Sequence, residues 1–281
     1  MYYVNGHYVN KDEARISVLD LGLLRGFGAF EYLRTYGGRP FHLEEHWLRL
    51  QYSVDQLGLE LPLNFKELTQ ILLNLKEMNH LEEASFKIVI TGGISDNQFL
   101  PHQAPSLIVL AYPFKPYPAN YYSQGIHALT TPLARSLPTS KTTQYTPAIV
   151  TLQKSGAQEA LYLNARGEVL EGATSNFFAF HGDVLYTCDS EEILFGITRE
   201  VMLHLASPHF SIVRRALCVP QIEEAFITAS NKEIMPVSRI DEKFVSVGAR
   251  TQKLMQLFEA YTQQEVHPPL HIARYSKQAQ F

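Results

Sequence analysis

Residues able to do chemistry gather in the middle of this chain. Arg135-Ser-Leu-Pro138-Thr-Ser-Lys141-Thr-Thr-Gln-Tyr145 is followed by Glu171-Gly-Ala-Thr-Ser-Asn176-Phe177-Phe178, then by Leu185-Tyr-Thr187 and Leu194-Phe-Gly196-Ile197-Thr198-Arg199. Gly196-Ile197-Thr198 stands where the helix expected over Arg199–Ala206 begins. There, unpaired N–H groups and the helix dipole attract an anion. Taken singly, each group also has a plain structural reading. A lone lysine after a proline is usually a solvated surface lysine. Glu171-Gly172 is a turn, Gly196 to Thr198 a helix cap, and Arg49 the exposed side of its helix.

Other chemistries fail on spacing. No G-x-x-x-x-G-K-[ST] run cradles a phosphate, and the Gly22, Gly26, Gly28 cluster precedes a strand instead of opening a helix. No G-x-S-x-G elbow exists. Of the eleven histidines, two pairs stand four apart. His42, of the pair His42 and His46, lies before the expected helix start, and His267 and His271 are split by Pro268-Pro269. Scattered surface histidines and no metal site are therefore expected.

The elements that must position these groups follow from pattern. With 281 residues, 46% hydrophobic and 19% charged, the chain reads as one large or two modest globular domains. A net charge of −4 argues against nucleic acid as the main partner. No apolar run reaches membrane-spanning length, and no signal peptide is evident. Cys188 and Cys218 make no disulfide framework, so a soluble, cytoplasmic protein is expected. Asn5-Gly6 predicts a hairpin turn, Ala29–Tyr36 a strand, and Gly37-Gly38 its reversal. Trp47, Leu50, Val54 and Leu57 recur at helical steps, and Phe65–Met78 is a second helix capped by Asn64. Strands over Ser85–Thr91 and Leu107–Ala111 complete an α+β domain over 1–112. Three prolines within Pro113-Phe-Lys-Pro116-Tyr-Pro118 predict a stiff linker over 113–120. The domain after it, 121–281, carries strands at Ile126–Thr130, Glu159–Asn164 and Ser175–Phe180. Helices are expected near Pro147–Ser155, Arg199–Ala206 and Ala249–Tyr261, and the last twenty residues show no clear pattern.

The joint order of these groups resembles the signature of the class IV, or fold-type IV, pyridoxal-phosphate aminotransferases. Branched-chain and D-amino-acid aminotransferases and aminodeoxychorismate lyases belong to it. Asp20, Gly26-Phe-Gly-Ala-Phe30-Glu31 and Glu45-His46-Trp-Leu-Arg49-Leu50 with Ser53 resemble its N-terminal domain, and Ile227-Thr-Ala-Ser230-Asn-Lys-Glu233-Ile-Met-Pro236-Val237 its C-terminal phosphate loop. The resemblance implies a two-domain α+β or α/β fold of the D-amino-acid aminotransferase kind, with pyridoxal 5′-phosphate as cofactor. It assigns the covalent anchor and proton shuttle to Lys141, the partner of the pyridine nitrogen to Glu171, and the hydrogen bond to the phenolic oxygen to Tyr145. Arg49, Asn176, Gly196, Ile197, Thr198 and Ser230 complete the implied cofactor contacts. Homodimers are common in the family.

Departures narrow the choice among members. Phe30 is followed by Glu31-Tyr32, where the lyases usually carry a threonine pair. The Arg-x-His trap of the D-specific enzymes is missing, because no arginine lies between Arg49 and Arg135. Phe30 and Arg34 match branched-chain positions, with Phe30 and Tyr32 expected to line the substrate pocket and Lys87 to replace an arginine near the substrate carboxylate. Tyr32 replaces a small residue, and Phe195 stands where many members have proline. The expectation is transamination of apolar L-amino acids with 2-oxoglutarate. Lyase and D-amino-acid activity are the alternatives, and a cofactor-fold binding protein without turnover is a remote one.

Overall fold

The computed structural model describes residues 1–102, 104–270, 272 and 275; the other nine of the last twenty residues lie outside them. The chain divides into two compact units. Unit 1 runs from Met1 to Lys115, and Ser140–Gln144 and the described residues Ile272 and Tyr275 belong to it. Unit 2 holds Pro116–Thr139 and Tyr145–Leu270. This departs from the expected division, which kept everything after residue 120 together. Ser140–Gln144 leaves it because its backbone pairs with a strand of unit 1, as described below.

Unit 1 contains β1 (Tyr2–Val4), β2 (His7–Val9), α1 (Leu21–Arg25), β3 (Gly28–Tyr36), β4 (Arg39–Pro40), α2 (Leu43–Asp55), α3 (Phe65–Met78), β5 (Ala84–Thr91) and β6 (Ser106–Pro113). Its six strands form one sheet in the order β2-β1-β6-β5-β3-β4. The β3–β4 turn uses Gly37 and Gly38 at φ of 56° and 74°, a left-handed pair that side chains resist. On α3, Leu68, Ile71, Leu72 and Leu75 recur at three- and four-residue steps and are buried. Asn64 and Glu67 close its first turn by reciprocal side-chain bonds. These leucines pack with Trp47, Leu50 and Val54 of α2 on Leu33, Phe86, Ile88 and Ile90 of the sheet.

Unit 2 contains α4 (Ala119–Ser123), β7 (Ile126–Thr131), α5 (Thr146–Ser155), β8 (Glu159–Leu163), β9 (Val169–Gly172), β10 (Ser175–His181), β11 (Val184–Thr187), α6 (Ile197–Ala206), β12 (Ser211–Val213), β13 (Glu224–Ala229), β14 (Glu233–Ile240), β15 (Lys243–Phe244) and α7 (Ala249–Thr262). The path β10-β13-β14-β7-β8-β9 returns on itself, because β9 also pairs with β10 through Ser175↔Gly172 and Asn176↔Glu171. Closure removes two sheet edges and sets Glu171 where the ring is joined. The core of this unit is formed by Ile126, Leu161, Phe177, Ile227, Met235 and Val237. Among the described residues, no helix is long and apolar enough to cross a membrane.

Candidate active site

Backbone bonds fix Lys141 in unit 1. Its N–H donates to Ser53 Oγ at 3.0 Å, and its carbonyl accepts from the Phe30 N–H at 2.9 Å. The Thr143 hydroxyl donates to the Gly26 carbonyl at 2.7 Å, and Thr142 bridges Ala29 in antiparallel fashion. The segment therefore lies along the start of β3 as a short added edge. Lys141 Nζ stands 4.8 Å from the centre of the Phe30 ring, and Lys87 Nζ stands 4.9 Å from that centre. Phe30 and Tyr32 share one face of β3 by strand alternation, and Lys87 is the partner of Tyr32 across to β5. The Tyr32 phenol donates to Ser85 Oγ at 2.8 Å. Arg34, further along that face, stacks its guanidinium 3.3 Å over the Phe114 ring and 4.0 Å over the Tyr36 ring.

Glu31 is fully buried on the opposite face. Arg49 of α2 grips it with a two-pronged fork, Nε to Oε1 at 2.7 Å and Nη2 to Oε2 at 2.8 Å. His46 Nδ1 lies 2.7 Å from Oε2. Burial alone raises a carboxyl pKa, but the Arg49 charge and these hydrogen bonds outweigh it and hold Glu31 at about 2. Burial lowers the His46 pKa, with Glu31 opposing. The Ser53 hydroxyl donates to the Arg49 carbonyl at 2.8 Å while accepting from Lys141. Hence α2 carries both the cation and the hydroxyl that fixes the lysine's backbone. His42 and His46 are buried, which corrects the expectation of surface histidines. Their burial follows from lying beside Glu31 and Glu45. Among the described residues, no cluster of metal-ligating groups occurs.

Unit 2 assembles the rest. Glu171, 2% exposed at the end of β9, accepts from Leu194 N–H at 3.0 Å and from Asn176 Nδ2 at 3.2 Å, both on Oε2. Arg135 Nη1 lies 3.4 Å from its Oε1, and the Arg135 guanidinium is 6.0 Å from the Tyr145 ring. Asn176 Nδ2 also donates to the Leu194 carbonyl at 2.6 Å, so one amide orients the acid and the loop leading to α6. A Cβ on Gly196 would meet Asn176 Oδ1 at 2.1 Å, so only glycine fits beside that amide. Gly196 caps α6 without a side-chain bond, leaving Ile197 and Thr198 in the first turn, whose N–H groups have no helical acceptor. Arg199, fully buried, donates from Nη2 to the Cys188 carbonyl at 2.8 Å and anchors that turn to the end of β11. Ser230 lies in the turn joining β13 to β14.

The sequence-expected residues thus fall into two sets. Lys141, Arg49, Phe30, Tyr32, Arg34 and Lys87 belong to unit 1; Tyr145, Glu171, Asn176, Gly196, Ile197, Thr198 and Ser230 belong to unit 2. Sequence reasoning missed the partnership of Glu31, His46 and Arg49 and the contact of Arg135 with Glu171. His46 and Arg49 do stand three apart on one face of α2, a signal that both turn inward.

The family description "Amino-transferase class IV" matches residues 28–240. Over 275 residues the chain is 33% identical to a candidate branched-chain-amino-acid aminotransferase of Methanocaldococcus jannaschii, covering 92% of this chain and 94% of that protein. It is 31% identical over 277 residues to a D-alanine aminotransferase of Staphylococcus epidermidis, covering 93% and 97%. The branched-chain amino acid aminotransferase of Escherichia coli shares the fold with a TM-score of 0.87 at 25% identity over 95% of each chain. A second branched-chain amino acid aminotransferase, that of T.th., was solved with pyridoxamine 5′-phosphate and gives 0.84 at 25% identity over 93% of each.

Proposed function

The chain belongs to the class IV aminotransferases, whose cofactor is pyridoxal 5′-phosphate, and we propose that it moves the amino group of apolar L-amino acids, of branched-chain type, onto 2-oxoglutarate. The donor set suits that cofactor. The first turn of α6 offers backbone N–H groups to a phosphate, and the buried Glu171 carboxylate, oriented by amide donors, suits a protonated ring nitrogen. When bound, pyridoxal phosphate supplies an electron sink for the negative charge that develops at the substrate α-carbon.

The protein's own groups do the rest. Lys141 Nζ would hold the cofactor covalently and, once the substrate amine has displaced it, would take the α-carbon proton as a free-base amine on a fixed backbone. Glu171 keeps the ring nitrogen protonated. Ile197 and Thr198 N–H groups hold the phosphate, Arg49, aimed by Glu31, serves as its cation, and Ser230 and Asn176 complete the contacts. Tyr145 donates to the phenolic oxygen. The working form is a homodimer by family resemblance, acting on small amino and 2-oxo acids in the cytoplasm.

One observation supports the substrate reading: Phe30 and Tyr32 present apolar surface on the face that holds Lys141 Nζ, with Lys87 beside them, where we assign it to the substrate carboxylate. A wall of that kind sorts side chains by size, at about 1–3 kcal/mol per methylene. The loop after β5 has no arginine with which to trap a D-amino acid. Single-turnover absorbance spectra with L-leucine, D-alanine and aminodeoxychorismate test the reading. L-Leucine should bleach the cofactor band quickly and D-alanine slowly. The reverse order overturns the stereochemistry, and pyruvate released from aminodeoxychorismate makes the protein a lyase.

A further inference from the structure

Unit 2 buries a second acid–base pair that none of these roles uses. Glu159, the first residue of β8, is 0% exposed, and Lys232, in the β13–β14 turn, is 5% exposed. Lys232 Nζ donates to Glu159 Oε2 at 2.6 Å and to Thr174 Oγ1 at 2.6 Å. The same oxygen of Glu159 accepts from the Thr174 hydroxyl at 2.8 Å and the Ser175 hydroxyl at 2.9 Å. A Cβ on Gly172 would lie 2.2 Å from Ser175 Oγ and 3.0 Å from Glu159 Cδ, so the turn is closed down on the carboxylate. Burial raises the carboxyl pKa, yet Lys232 and the two hydroxyls hold Glu159 below the ordinary range.

Desolvating such a pair costs about as much as the attraction returns, so it is poor evidence for stability and better evidence for register. What it registers is visible in the chain. Ala173 and Thr174 form the tip of the β9–β10 hairpin, whose arms meet at the tip as Gly172 and Ser175, with Glu171 and Asn176 the next cross-strand pair. Lys232 N–H donates to the Ala229 carbonyl at 3.1 Å and closes the turn that carries Ser230. Asn231 of the same turn donates to the Tyr117 hydroxyl at 3.2 Å.

We propose that Lys232 and Glu159 are positioning residues: the ion pair straps the hairpin of Glu171 to the turn of Ser230, and so sets the spacing at which the ring-nitrogen partner and the Ser230 turn meet one cofactor. The proposal rests on the roles given above to Glu171 and Ser230. Removing one partner leaves a buried charge alone and invites misfolding, so the decisive variants are the double Glu159→Gln/Lys232→Met and the single Thr174→Val at an exposed residue. Holoenzymes are dialysed, and the half-time of cofactor loss is read by absorbance, with thermal melting and the pH midpoint of the visible band alongside. Both variants should melt like the parent, lose cofactor about 5-fold faster or more, the order of one net hydrogen bond, and shift the band's pH midpoint. Lys232→Arg, which can still donate to both acceptors, should return the half-time towards the parent's. Parent-like half-times and midpoints in both decisive variants overturn the strap. A parent holoenzyme that ignores L-leucine overturns the substrate reading instead, and leaves these release rates interpretable.

Discussion

Two buried glutamates, one in each unit, do opposite things with the same carboxylate. Glu31 faces an arginine fork at 2.7 and 2.8 Å and a histidine at 2.7 Å. Glu171 is aimed by a backbone N–H at 3.0 Å and a side-chain amide at 3.2 Å, with Arg135 at 3.4 Å. Glu31 is matched by a charge of the protein itself and serves to hold Arg49 and, through Ser53, the backbone of Lys141. Glu171 has two neutral amide donors nearest it and Arg135 slightly further off, and the role proposed for it is to meet a cationic group of a ligand. Two buried acids of one residue type thus differ in the donors nearest them: a forked guanidinium for Glu31, amides for Glu171.

The largest expected effect probes the residue that Glu31 indirectly places. Lys141→Ala should lower the single-turnover rate with L-leucine by about 10⁴-fold, the upper range for losing a general base, while the melting temperature stays near the parent's. A retained rate removes Lys141 from the chemistry.

The two glutamines come next and should separate the roles cleanly. Glu31→Gln leaves Arg49 buried without its anion and should cost about 3–5 kcal/mol in urea unfolding. Glu171→Gln should cost little stability but slow the half-reaction by about 10²–10³-fold, the size of losing one preorganised charge contact. Equal stability losses in the two variants break the comparison.

The smallest effect is on pH. The folded carboxyl of Glu31 lies at about 2 against an ordinary 4.5, so its contribution is fully present above 4.5 and is lost as pH falls towards 2. His46, lowered by burial, acts in the same direction: below its ordinary 6.5 the unfolded chain binds the proton more readily. Unfolding free energy should therefore decline from near pH 6.5 downwards, and the decline should be shallower in Glu31→Gln. Identical acid profiles for parent and variant remove Glu31 as the cause.

Much of the fold was legible because it rests on short-range rules. Gly37-Gly38 marked the end of β3, β-branched residues marked β5, amphipathic periodicity marked α2 and α3, and Asn64 marked a helix start that the structure completes by reciprocal bonds with Glu67. Other elements escaped. β13 and β14 were not read, and Pro236 argues against a strand paired on both sides. The structure accommodates it because pairing with β7 begins only at Val237.

The linear order of residue types determined by itself the class of fold, the family, and which side chains are candidates for chemistry. Tertiary structure alone decided their partners. Lys141 follows unit 1 because its peptide bonds to Ser53 and Phe30, residues far earlier in the chain. Glu31 is matched because α2 turns Arg49 and His46 onto it. Lys232 meets Glu159 across 73 residues only once the strands of unit 2 have closed into a ring. The physical reason is range. Propensities, caps and periodicity act within one or two turns of chain, whereas the environment of a buried charge is set by whatever the sheet brings against it.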